Sequence, residues 1–107
     1  MALQVYRVSL EMIVGVRPLL ELVARRDAGL ADQMKRAASS VALNIAEGGE
    51  SLGGNQRVRF RTAMGSAAEV GAALDVAEAW GYLGAQQAQP VRELLGRVRA
   101  MLSRLAR

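Results

Sequence analysis

The sequence predicts an all-α protein, an antiparallel up-down-up-down four-helix bundle, and three observations predict it. Apolar residues recur at three- and four-residue steps along four separate stretches, the signature of one buried stripe per helix. No stretch alternates with period two, so no sheet is expected. The breaks between the stretches are short, which makes consecutive helices antiparallel neighbours. The 107 residues suffice for one domain, 1–107, and are too few for two ordinary ones. Half of them (51%) are apolar but only 4% are aromatic, so the core is expected to pack aliphatic side chains against small ones.

The first helix is read from about Leu3 to Arg26, with Val5, Val8, Met12, Val16, Leu19 and Val23 on one stripe and Ile13 and Leu20 widening it. Pro18 lies inside it, where the missing N–H and the ring clash favour a kink or a division into two pieces, the kink being the better reading. Asp27-Ala28-Gly29 is the first break, with Gly29 ending a helix and Asp27 capping or turning. The second helix is read from about Leu30 to Glu47, with Leu30, Met34, Ala37, Val41 and Ile45 inward; the stretch Gly48 to Asn55 is the connection that follows. The third runs from about Asn55 to Trp80, and Phe60, Met64, Ala67, Gly71 and Leu74 form its seam. Gly65 and Gly71 cost this helix about 1 kcal/mol each relative to Ala, which predicts close backbone approach to neighbouring helices. After a turn at Gly81 to Gly84, Pro90 suits the first turn of a fourth helix. Val91, Leu94, Leu95, Val98, Leu102 and Leu105 form its stripe, with Arg92, Arg97, Arg99, Arg104 and Arg107 on the opposite half.

Composition removes much chemistry. With no Cys, disulfides and thiolate sites are excluded, and a reducing cytoplasm is the expected compartment. With no His, imidazole ligation and His-based triads are excluded, and no cofactor or metal is expected. The opening MALQVYRVSLEM lacks a basic-then-apolar export pattern, and no apolar run approaches the roughly 20 residues of a membrane span. Net charge is +4, which permits attraction to nucleic acid. Arg57, Arg59 and Arg61 open the third helix, and Arg92, Arg97, Arg99 and Arg104 lie along the fourth; these seven are the candidate phosphate contacts.

Polar residues also form a line beside the core. Arg36, Ser40, Asn44 and Glu47 stack along one edge of the second helix, and Ser66 and Glu69 along the third. A structural hydrogen-bond network is the favoured reading. A hydrolase or nuclease using Glu47 and Glu69 is the minor one, because paired carboxylates need a pocket that nothing here supplies. The glycines of GGESLGGN are not followed by Lys-Ser/Thr, so a phosphate loop is not indicated. Tyr6, Leu10, Val14, Val76 and Trp80 fall outside the stripes and point to self-association.

The stretches LADQMKRAASSVALNIAEG (Leu30 to Gly48) and RFRTAMGSAAEV (Arg59 to Val70) carry a distinctive pattern: Gln33, Arg36-Ala37-Ala38, Ser40, Asn44 through Gly48, Phe60, Ala63, Gly65-Ser66 and Glu69, then Gly81-Tyr82-Leu83. In this pattern the chain resembles the four-helix-bundle family encoded in intervening sequences of bacterial 23S ribosomal RNA genes. The match covers about half the chain; the first and fourth helices match only in pattern, and the usual aromatic-proline step before the second is missing. The resemblance implies a bundle that assembles as a homopentamer. It also implies distant kinship with the accessory proteins of diversity-generating retroelements, in which a basic pentamer binds nucleic acid and the reverse transcriptase. Arg36, Ser40, Asn44, Glu47, Ser66 and Glu69 are then signature residues for packing and assembly. The combined expectation is a non-enzymatic oligomer that binds RNA or DNA or scaffolds a nucleic-acid enzyme. The alternative is a self-assembling interaction module without a nucleic-acid role.

Overall fold

Four helices follow one another in a computed structural model that describes residues 2–107, with side chains from residue 4 onward. They are α1 (Ala2–Ala24), α2 (Ala28–Gly49), α3 (Gly53–Ala79) and α4 (Ala85–Leu105). Each packs on its chain neighbours, and α1 also packs on α4, which closes a square. The fold is therefore the four-helix bundle that the periodicity predicts. Helices of 21 to 27 residues rise about 32–40 Å, which accounts for the 42 Å long axis of the molecule.

The stripes meet on the bundle axis. Val5, Val8, Met12, Val16, Leu19 and Val23 of α1 are buried against Met34, Val41 and Ile45 of α2, Phe60, Val70 and Leu74 of α3, and Val91, Val98 and Leu102 of α4. The α3 contribution is mostly small: Ala63, Ala67, Ala73 and Ala77 are buried, while Met64 and Gly71 are half-buried at the margin. Tyr6 also packs against the core, in contrast to its expected place on an outer face. Leu10, Val14, Val76 and Trp80 remain exposed, joined by Leu43, Leu52 and Val58.

Helix boundaries match expectation at the Gly81–Gly84 turn and differ from it at several other glycines and at Pro90. Helix α1 is continuous through Pro18, whose ring is exposed, so it is not divided into two pieces there. Gly29 does not end a helix; it lies in the first turn of α2, because Asp27 caps that helix by accepting the Leu30 N–H on Oδ1 at 3.0 Å. Helix α2 runs on through Gly48 and Gly49, leaving a connection of only Glu50 to Leu52. Ser51 Oγ donates to the Glu47 carbonyl, and Gln56 Nε2 donates to the Gly48 and Ser51 carbonyls, which satisfies the end of α2. Pro90 is not in the first turn of α4. That helix starts at Ala85, with the Gln87 side chain accepting from the Gly84 N–H at 2.7 Å. Gly65 and Gly71 have no close neighbour: a Cβ built at either would meet no atom within 4 Å. The close approaches are elsewhere. A Cβ on Gly48 would sit 2.5 Å from the Phe60 ring, and one on Gly15 would sit 3.1 Å from Val91 Cγ2, at the α1–α4 contact.

Candidate functional site: the α2–α3 polar seam and the arginine faces

The core stripe of α2 is flanked by Ser40 and Asn44, one turn apart on the side toward α3. Ser40 Oγ meets Ser66 Oγ at 2.7 Å, the one side-chain hydrogen bond that ties the middle of α2 to the middle of α3 among the described residues. Asn44 Nδ2 donates to the Ser40 carbonyl at 2.9 Å and to its Oγ at 3.1 Å. Asn44 therefore occupies a lone pair of Ser40 and leaves that hydroxyl's proton available to Ser66. Arg59 extends the network toward the α2–α3 turn, with Nη1 3.1 Å from Glu47 Oε2 and a long 3.5 Å contact to Asn44 Oδ1. Small residues make this possible, since Gly48 admits the Phe60 ring and draws the two helices together at that end. Among the described residues no buried side-chain nitrogen or oxygen lacks a partner.

Two of the six expected polar residues stand apart. Arg36 pairs with Asp32 on its own helix, Nε to Oδ2 3.0 Å, with both side chains largely exposed. Glu69 is exposed on α3, ten residues beyond Arg59, or about 15 Å along the axis. Glu47 sits at the level of Arg59, so the two carboxylates of the minor hydrolase reading are not brought together. The groove over the seam, about 470 Å³, is a shallow surface feature lined by Lys35, Arg36, Ser39, Leu43 and Asn44 among others. No group of three potential metal ligands is assembled among the described residues.

The seven candidate arginines divide. Arg57, Arg61, Arg97, Arg99 and Arg104 are exposed and form no ion pair among the described residues. Arg59 is held by Glu47. Arg92 departs from the outward half of α4: it lies half-buried at the α3–α4 contact, where Nη2 pairs with Asp75 Oδ1 at 2.8 Å and with Glu78 Oε2. The hydrogen bond that Arg92 donates to Glu78, with help from Asp75, raises the Arg92 pKa above its ordinary value against the opposing effect of burial. This guanidinium is a clasp between helices. Asp75 and Glu78 were not foreseen as its partners; their i, i+3 spacing on α3 was the available signal.

The family model of the 23S rRNA-intervening sequence protein matches residues 1–104. The chain belongs to that family. The chain is similar to a crystal structure of a protein of unknown function from the S23 ribosomal protein family of Bacteroides thetaiotaomicron, with a TM-score of 0.87 and 18% identity over 96% of this chain and 98% of that one. At that identity the likeness shows the shared fold alone. No protein of curated function matches the chain. Along the α2–α3 seam, then, Ser40 with Ser66 and Glu47 with Arg59 link the two helices and Asn44 braces Ser40, while Arg36 and Glu69 are exposed. No helix among the described residues is long and apolar enough to cross a membrane.

Proposed function

We propose that this protein is a non-enzymatic, self-associating bundle whose arginine-rich end binds the phosphates of RNA or DNA. One observation carries the reading. The antiparallel helices sort the charges along the long axis. The half holding the α2–α3 turn and the C-terminus carries Arg7, Arg57, Arg59, Arg61, Arg97, Arg99, Arg104 and Arg107 against only Glu11, Glu47 and Glu50. The other half carries six cations against seven carboxylates, so the whole positive excess of the chain falls on one end. Such a focused field attracts a polyanion, and the exposed, unpaired Arg57, Arg61, Arg97, Arg99 and Arg104 are its contact points. Exposed Leu43, Leu52 and Val58 beside them support assembly of several copies, which would multiply the basic surface; the family resemblance makes five the expected number. An enzyme acting on the bound strand, such as a reverse transcriptase, is the partner class such a scaffold would serve.

The test is a salt titration of binding to a generic single-stranded RNA. Five phosphate contacts predict a slope of roughly −3.5 in log K against log salt. Replacing Arg57 and Arg61 by Gln should flatten that slope by about 1.4. Absence of binding at low salt would refute the nucleic-acid reading and leave the pure assembly module. Light scattering tests the assembly separately, and a clean monomer mass would refute it.

A further inference from the structure

The opposite end of the bundle carries a feature that the phosphate-binding reading does not use. Helix α3 ends in a paired-hydrogen-bond cap: the Tyr82 N–H donates to the Ala77 carbonyl at 2.9 Å and the Gly81 N–H to the Glu78 carbonyl at 3.0 Å, with Gly81 at φ +80°. This cap fixes Trp80 and Tyr82 on either side of the reversal. Their rings stack, with centroids 6.4 Å apart and planes 17° from parallel. The Arg26 guanidinium lies over the Tyr82 ring, 5.5 Å from its centroid. The Tyr82 hydroxyl donates to Asp27 Oδ2 at 3.4 Å, and the other oxygen of Asp27 caps α2. The aromatic pair is thus anchored to two helix ends, yet Trp80 is 67% exposed.

We propose that Trp80, backed by Tyr82 with Arg26 lying over the Tyr82 ring, is a stacking site for an unpaired base of a single-stranded nucleic acid. A nearly parallel aromatic pair with one indole in solvent is a platform that a third planar ring extends, and every base offers such a face. Net charge does not draw a ligand to this tip; the local arrangement of ion pairs is what offers it a cation. Asp27 is occupied by the α2 cap and Tyr82, and Asp75 and Glu78 by Arg92, whereas Arg25 and Arg26 form no ion pair among the described residues. The Arg26 guanidinium, held on the same aromatic pair, can meet a phosphate beside a stacked base. The site rests on the nucleic-acid reading above and is separate from the arginine-rich end, which grips backbone without regard to base exposure.

Trp80 is the single tryptophan of the chain, so its fluorescence reports this site alone. The experiment titrates the intact protein at low salt with a short oligoadenylate. It follows tryptophan quenching, and in parallel the anisotropy of the same strand carrying a fluorophore. Polyphosphate, polyglutamate and a duplex of equal length are the controls. Saturable quenching by the single strand, and by none of the controls, is expected. Trp80→Ala should weaken single-strand binding by about fivefold to a hundredfold; Trp80→Phe should restore most of it, and duplex binding should hardly change. Circular dichroism confirms that each variant is folded. Binding by anisotropy with unchanged fluorescence, equal quenching by polyglutamate, or an unaltered affinity in Trp80→Ala would overturn the stacking site and leave the phosphate-binding reading intact. No anisotropy change at low salt would overturn that reading itself, and the stacking site with it.

Discussion

Alanine at Gly65 or Gly71 should stabilise this protein, and the size of the gain follows from what surrounds the two residues. Both lie inside α3, neither has a positive φ, and a Cβ on either would meet nothing within 4 Å. The folded chain therefore tolerates the added methyl without displacement, while the unfolded chain loses the conformational freedom that only glycine has. The difference is about 1 kcal/mol per site in a helix interior. The sites are six residues apart, about 9 Å along the axis, and point to different sides of the helix, so their effects should add to about 2 kcal/mol. With a urea slope of about 2 kcal/mol/M for a domain of this size, the double variant should unfold about 1 M later than the parent. The assay is urea denaturation followed by helical circular dichroism. The two single variants and the double variant are compared at equal protein concentration. An unchanged or lower midpoint at either site would refute the reasoning, because it would mean that another backbone lies against that glycine.

Gly48 should behave in the opposite way. Its Cβ would fall 2.5 Å from the Phe60 ring, so Gly48→Ala should destabilise by about 1–3 kcal/mol in the same urea assay, with a midpoint equal to the parent counting against the close contact. Removing the clasp on α4 with Arg92→Met should cost about 1–2 kcal/mol, since Glu78 and Asp75 lose a charged donor; Glu78→Gln in that background should recover part of the loss, and additive losses would argue against the pair. Tyr82 should ionise above pH 10, because partial burial and then the Asp27 carboxylate oppose its phenolate more strongly than Arg26 favours it. A folded-state pKa raised in this way contributes stability that is complete below pH 10 and is lost as the pH rises past the folded value. Phenolate absorbance should show this late titration, and Asp27→Asn, which keeps the α2 cap, should move it down; a midpoint unaffected by that change would contradict the contact.

Helical periodicity made the fold legible because burial is a face property: every residue assigned to the α1 stripe from Val5 to Val23 is buried, and the same holds for Met34, Val41 and Ile45. The boundaries were less legible because glycine and proline were read by propensity, while tertiary contacts decide what they do. Gly48 looks like a helix stop, yet it is a helical residue that makes room for Phe60; Pro90 looks like a helix start, yet the Gly84–Gln87 cap begins α4 a turn earlier. At the polar seam, spacing placed Ser40, Asn44, Glu47 and Ser66 on facing edges, but could not say that Asn44 turns back onto Ser40 or that Arg59, counted among the phosphate contacts, closes the line on Glu47. Arg92 shows the same limit, since its position on α4 is clear from sequence but its two carboxylate partners belong to another helix. What an arginine does here depends on which helix faces it. Asp75 and Glu78 turn Arg92 into a structural clasp, while Arg57, Arg61, Arg97, Arg99 and Arg104 meet no such pair among the described residues and stay exposed. The functional reading therefore rests on unpaired charge rather than on total charge, a quantity that only the packed bundle defines.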